Sequence, residues 1–355
     1  VTLDDIGIGA PTYDTPQQWW DAQPNDEFTE EHIGECLAEE FTAAFDFNGK
    51  LTTAAFYGEL RAKAGAEHDG RHHGISGLGN ARFNTSGTVS SVRLRDNHVR
   101  VAWMEVQGPG NNNVPVMAAP DGFVSAGSQF YIHHNILHND WASTGSDNSG
   151  FQSNDADARI YLYRNIFFGV GGTGIRTDSG ASGSVIFYNT VYGTNRNFTG
   201  TDNSRGGIAV GSGGDTNYAM RYNAAFRNRN ADIRLTRGVQ NYNYSSDGTA
   251  DDEGANSVAN VDADAQFVSP IDVSGATATW SSLDLLLLSG STLRGAGVSE
   301  SNATYPEIDV PINDRSYTIT GTWDIGAAQY IPAGGGAFNA AMASIANPVL
   351  GVGVY

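Results

Sequence analysis

Apolar and polar positions recur along this chain in one figure: a short alternating run, a polar bend, and a second apolar run. It is clearest in FYIHHNILHN, residues 130–139, and returns as IYLYRNIFFG from Ile160 and SVIFYNTVYG from Ser184. VRVAWMEVQG from Val99, YAMRYNAAFR from Tyr218 and VQNYNYSSDG from Val239 are looser copies. Aligned at the bend, Met104, Asn135, Asn165, Asn189, Asn223 and Asn243 fall 31, 30, 24, 34 and 20 residues apart. A strand unit of this size cannot bury its apolar face alone and must stack on its neighbours. The pattern predicts an all-β solenoid.

Alternation with a period of two assigns the faces. Val99, Phe130, Ile160 and Tyr218 form one inward file. Val101, Ile132, Leu162, Ile186 and Met220 form a second, and Val106, Leu137, Phe167, Val191 and Ala225 a third. The asparagines are expected to take the left-handed bend and to bond amide to amide between coils, starting at Asn135 because Met104 breaks the file. The outward positions Tyr131 and Tyr161, and His133, Tyr163, Phe187 and Arg221, then form an aromatic stripe. Such a stripe marks a covering element, a partner, or a surface that stacks on sugar rings.

The chain divides into four parts. Residues 1–50 read as an entry module with a helix from Pro16 to Ala22. Thr15 is its N-cap, Pro16 its first residue, Gln18 reaches back, and Trp19 and Trp20 are its cargo, a lid on the first coil. Residues 51–250 are the repeating body, irregular before about residue 105. Pro109–Ser125, Asp140–Asp157, Gly193–Asn217 and Arg227–Gly238 are rich in Gly, Asn, Ser and Asp and read as loops. Residues 251–330 are closing coils and a cap. Residues 331–355 are an apolar, Gly- and Ala-rich tail suited to anchoring or subunit contact.

Composition narrows the function classes. The chain has 355 residues, 44 of them glycine, and a net charge of −19. That charge repels nucleic acid and disfavours an acidic polysaccharide unless a cation bridges. Cys36 is the single cysteine, so no intrachain disulfide can form. No apolar run reaches membrane-spanning length. The opening VTLDDIGIGA has neither the basic nor the apolar region of a secretory signal.

Certain segments carry a resemblance. Tyr13, Trp19-Trp20-Asp21-Ala22, Pro24 and GECLAEEF from Gly34 open the chain, and NYNYSSDGTA runs from Asn241 to Ala250. Phe267-Val268, Leu283-Asp284-Leu285-Leu286, the stretch from Ser291 to Gly297, Ile308-Asp309, Arg315, and the stretch from Trp323 to Tyr330 close it. Over about residues 12–330 this resembles right-handed parallel β-helix proteins of the pectate-lyase-like type, in particular those encoded by phages. Gln329 in place of Glu, and the missing Gly after Asp309, depart from that pattern. The resemblance implies a single-stranded right-handed parallel β-helix with a short N-terminal capping helix and an extended C-terminal tail. It says less about activity, because one fold hosts lyases, hydrolases, adhesins and virion parts.

Candidate chemistry is sparse. The NTD, GHG and RIK signatures of polysaccharide hydrolases on this fold are absent. The two DD pairs, Asp4-Asp5 and Asp251-Asp252, sit near the start of the chain and in an acidic turn. With only Lys50 and Lys63 as lysines, the best lyase-like grouping is Asp155 and Asp157 with Arg159 and Arg164, against surface ion pairing as the plain alternative. His133, His134, His138 and Asp140, and likewise His68, Asp69, His72 and His73, invite a metal or acid–base reading. Strand geometry opposes it, since His133 and His134 point to opposite faces. No metal site or cofactor is therefore expected. DGTADDE from Asp247 lacks EF-hand spacing and would hold Ca²⁺ only adventitiously.

Three functions stand side by side. The first is a structural phage virion protein (capsid decoration, spike or fibre component), partnered by other virion proteins or its own subunits, with a trimer implied by resemblance. The second is a polysaccharide lyase or hydrolase acting as a depolymerase. The third is a non-catalytic module that binds a host glycan through Tyr131, His133, Tyr161, Tyr163, Phe187 and Arg221. The first places the protein in the virion; the others allow a secreted or cell-surface location.

Overall fold

The computed structural model describes residues 1–8, 12–71, 80–108, 114–139, 148–177, 183–194, 206–210, 218–235, 239–250, 254, 256–273, 280–300, 304–316 and 318–331. The tail beyond residue 331, Asp140, His72, His73 and the Asp251-Asp252 pair lie outside the described residues.

Three parallel sheets make up the body. The first has nine strands: Thr2–Ile6, His32–Cys36, Gly58–Ala62, His98–Ala102, Ser128–His133, Ala158–Tyr163, Val185–Phe187, Ala219–Arg221 and Val239–Asn241. The second has eight short strands, from Glu40–Phe41 to Tyr244–Ser245, and the third has seven, from Phe45–Phe47 to Ile233–Leu235. From His32 onward the chain visits the sheets in strict rotation, and each strand pairs with its counterpart one circuit earlier and one circuit later. One circuit is a rung. The inward files lie in register: Val101, Ile132, Leu162, Ile186 and Met220 are successive partners, as are Val106, Leu137, Phe167, Val191 and Ala225. All are buried in one continuous core.

The third sheet corrects the sequence reading. Met117–Ala119, Phe151–Ser153, Ile208–Val210 and Ile233–Leu235 fall inside the four segments read as loops. Three-residue strands are too short for alternation to show, and their Gly- and Asn-rich flanks mimic turns.

The helix forms where expected, at Pro16–Ala22. Gln18 N–H donates to the Thr15 hydroxyl, and Gln18 Oε1 accepts from Asp14 N–H. Trp19 and Trp20 are fully buried against Phe45, Phe28 and Phe47. Gly58 is required there: a Cβ would lie 2.4 Å from the Trp20 ring.

At the corner between the first and second sheets the asparagines form a buried ladder. Asn135 Nδ2 donates to Asn165 Oδ1, Asn165 to Asn189 and Asn189 to Asn223 at 3.1 Å, and Asn223 to Asn243 at 3.0 Å. Each backbone N–H also donates to the next side-chain oxygen, and Met104 N–H donates to Asn135, so the ladder begins where expected. The left-handed bend, however, falls one residue earlier. Trp103, His134, Arg164, Tyr188, Tyr222 and Tyr242 have φ between 53° and 62°. The asparagine amides are committed to backbone carbonyls around the corner, for Asn165 those of Ile132 and Tyr163. The preceding residue makes the turn, at Trp103 as well, where Met104 follows, at about 1–2 kcal/mol each for a side chain with a Cβ.

Val258 still pairs parallel with Tyr244 and extends the second sheet by one bridge; beyond it the described residues of the closing segment, up to 331, leave the rungs. Phe267–Ser269 pairs antiparallel with Asp284–Leu287, and the segment lies over the outer side of the first two sheets, where it forms a second apolar core. The closing motif is self-consistent. The Asp324 carboxylate accepts from Gly295 N–H at 2.7 Å and Tyr330 N–H at 2.6 Å, and Ile325 N–H donates to Leu293 O. Gln329 Oε1 accepts from Asp324 N–H, a role glutamate could equally fill.

Asn165→Ala strands the Asn135 N–H and takes the amide donor from the Ile132 and Tyr163 carbonyls, of which Tyr163 keeps the His134 N–H. At about 1–3 kcal/mol per buried unpaired group, denaturant unfolding should show a loss of about 2 kcal/mol or more. Asn243→Ala, at the last rung of the ladder, should cost less. A second prediction concerns Asp232, a buried carboxylate that accepts five bonds from Asn228, Ser246 and Asp247. Burial, and then the Asp247 charge, push its pKa up to about 7. The folded value lies above the unfolded value of about 3.9, so its contribution to stability is present below about pH 4 and lost as pH rises through about 7. Thermal melts from pH 4 to 8 should show this slope, and Asp247→Asn should flatten it.

Candidate functional site

The outer face of the first sheet carries two files. One runs Ile33, Glu59, Arg100, Tyr131, Tyr161, Val185; the other runs Asp5, Glu35, Arg61, Ala102, His133, Tyr163, Phe187, Arg221. Charges gather at the early rungs and rings at the later ones. Arg61 donates to Glu35 at 2.7 Å and approaches Glu59 at 3.4 Å, and Lys63 pairs with Asp5. The Arg100 guanidinium lies 3.4 Å from the Tyr57 ring centroid and 4.9 Å from that of Tyr131. Glu59 is buried, and its desolvation raises its pKa against the opposing pull of Arg61 and Arg100. Among the described residues it is the one carboxyl on this face with both a raised pKa and two cationic neighbours.

The rings stack as strand spacing dictates. Tyr131 and Tyr161 are 4.4 Å apart and 11° from parallel, and His133 and Tyr163 are 4.9 Å apart and 2° from parallel. Beside them, at the corner, the left-handed residues form a further stack. Trp103 lies 4.2 Å from His134, Arg164 sits 4.3 Å over Tyr188, and Tyr188, Tyr222 and Tyr242 follow. Their polar tips meet the closing segment. Trp103 Nε1 donates to Glu307 at 2.7 Å, His134 Nε2 contacts Val310 O at 2.6 Å, and Tyr163 OH donates to Pro306 O at 2.7 Å. Arg164 donates to the Ile308 and Gly326 carbonyls, both at 3.1 Å. Tyr305 packs on Tyr161, Tyr163 and Phe187.

The histidine pair sits where the two files of rings meet the cover. His133 Nδ1 and His134 Nδ1 are 2.9 Å apart. The left-handed bend at His134 turns its ring to the same side as His133, which overrides the strand alternation that predicted opposite faces. Nε2–H of His134 donates to Val310 O, so its Nδ1 carries the lone pair. Burial lowers the pKa of both well below the ordinary histidine value. Arg100, Arg315 and Arg61 add to the effect at His133, and His133 itself does so at His134. His68 lies underneath and donates from Nε2 to His134 O.

The binding stripe is thus assembled as the sequence predicts, and it is covered by the chain's own closing segment. His133 and Phe187 are 2% exposed and Tyr163 is 0% exposed; only Tyr131 and Arg221 keep an appreciable part of their surface. As a sugar-stacking platform the stripe is therefore not accessible. The lyase-like grouping is not brought together. Asp155 is buried in the turn before Ala158–Tyr163, where its Oδ1 accepts from Asp157 N–H. Arg164 lies at the far end of that strand, fully buried under the closing segment, and Asp157 and Arg159 are exposed. His138 is also separate, 3.0 Å from Glu105. Glu59, Arg61, Arg100, Trp103, Tyr305, Glu307 and Arg315 were missed. Glu59 and Arg100 lie in less regular copies of the repeat, and the contact from Glu307 to Trp103 spans 204 residues. No protein-family model matches this chain, and no curated protein matches it in sequence.

Arg164→Ala removes the donor to Ile308 and Gly326. Hydrogen exchange should then show faster exchange of amides in 293–327, with the protection of the rung strands nearly unchanged.

Proposed function

We propose that the three sheets close into a right-handed parallel β-helix and that the protein is a structural, non-catalytic component of a phage particle. The observation that carries this reading is the sealed outer face. The surface where a substrate groove would lie is filled by the chain's own closing segment, through a second apolar core and five polar contacts. The result is a rod braced along its flank, suited to bearing load or presenting a surface. A strongly acidic exterior fits a copy packed on a particle and kept from nonspecific adhesion. The phage context itself rests on the sequence resemblance. The apolar tail, residues 331–355, is the attachment segment in this reading.

The second reading, a polysaccharide lyase or hydrolase, is favoured by one feature: the desolvated Glu59 carboxyl between Arg61 and Arg100 on the outer face of the first sheet. One pair of experiments separates the two. Antibodies against the protein should label intact particles in a regular array, and a chain lacking residues 331–355 should fail to join them. Incubation with a panel of microbial polysaccharides should release neither unsaturated nor reducing ends. Turnover that Glu59→Gln abolishes would replace the structural reading with the enzymatic one.

A further inference from the structure

The histidine pair and Glu307 each hold the closing segment through one atom, and that role does not explain why their remaining ligand atoms gather. The ligand atoms of His133, His134 and Glu307 all lie within 4.8 Å of one another. We propose that these three side chains form a binding site for a divalent transition metal of the zinc type, which fastens the closing segment to the outer face of the first sheet.

Four observations support this. First, the two Nδ1 atoms face each other at 2.9 Å, and opening the pair by about 0.4 Å gives the separation of about 3.3 Å that two nitrogens take around one tetrahedral ion. Second, the outer partners that metal ligands require are present. His134 donates its other ring N–H to Val310 O, and Glu307 Oε2 accepts from Trp103 Nε1. Third, Glu307 Oε1 is held only by a loose 3.9 Å ion pair to Arg315, which leaves a lone pair to give. Fourth, Glu307 itself is held in the left-handed region, φ 57°, a strained conformation for a residue with a Cβ and common where side chains are aimed at a ligand.

The donor set, two neutral imidazoles and one carboxylate, suits Zn²⁺, Cu²⁺ or Ni²⁺ better than Ca²⁺ or Mg²⁺. Such an ion would join residues 133 and 134 to residue 307, a staple across nearly half the chain. The nearby guanidinium groups of Arg100 and Arg315 weaken cation binding. The Glu307 charge, and the desolvation both histidines have already undergone, offset them. The competing arrangement is metal-free: His133 Nδ1–H donates to His134 Nδ1, and the pair is simply a buried hydrogen bond.

The test uses the full chain, stripped with a chelator and then titrated with Zn²⁺ and with Co²⁺. One equivalent should bind, Co²⁺ should develop the visible absorption of a nitrogen-ligated ion, and Zn²⁺ should raise the melting temperature as binding to the native state requires. Glu307→Gln can keep the bond from Trp103, so it should fold while losing at least about tenfold in affinity. His134→Gln should abolish the cobalt band. Should His134→Gln fail to fold, Glu307→Gln decides the matter alone. Absence of stoichiometric binding, or equal affinity in wild type and Glu307→Gln, leaves the metal-free hydrogen bond as the correct description. The outcome is independent of whether the protein proves structural or enzymatic.

Discussion

Rung-on-rung registration is the constraint on which everything else depends. Each strand of the body finds its backbone partners only in the circuits before and after it, so a residue's neighbours are its counterparts in those circuits. The buried amide ladder from Asn135 to Asn243 enforces that registration at one corner. Each asparagine must reach a carbonyl of its own rung and an amide of the next, and a slip of one residue would leave all of them unpaired in an apolar interior. The files of Val, Ile and Leu inside supply burial without selecting a register so sharply, since one aliphatic side chain replaces another at small cost.

The ladder runs beside the outer architecture. At five corners the residue before the asparagine takes the left-handed turn while the amide is occupied with the corner carbonyls, and Trp103 does the same before Met104. Six successive corners place Trp103, His134, Arg164, Tyr188, Tyr222 and Tyr242 there. These are costly choices for such a conformation, and small residues would turn more easily. Large side chains at this point stack on one another along the sheet edge and present polar tips to the closing segment. The closing segment reads those tips with its carbonyls and with Glu307. Local backbone strain is thus tied to the docking of a segment distant in sequence.

This arrangement bears on function through electrostatics and access. The outer face has the ingredients of chemistry, a desolvated carboxyl, guanidinium groups and neutral histidines. Most of the carboxylates there are paired with cations, and the histidines lie under a cover. Pairing and burial of this kind hold a face together more readily than they serve a substrate. In the reading proposed above the face serves structure first, with Glu59 as the residue on which an enzymatic role would turn.

Much of the fold was legible in the chain itself. Alternation in FYIHHNILHN and its relatives is enough to place the inward files, the stacked outer files and the asparagine corner, because these depend on strand periodicity and on like residues meeting like. The helix at Pro16–Ala22 was legible for the same local reason: its cap, proline and tryptophans lie within eight residues. The third sheet was not, since strands of three residues carry too little pattern. Nor was the position of the left-handed bend, which falls one residue before the asparagine, and at Trp103 before Met104, and carries no mark in the alternation. The site belongs wholly to tertiary structure. That His133 and His134 share a side, that Glu307 stands beside them, and that the aromatic stripe is sealed all follow from a closing segment folding back over residues more than a hundred positions earlier. No local periodicity encodes such a return; it is decided by which apolar face and which carbonyls remain unpaired once the rungs have stacked.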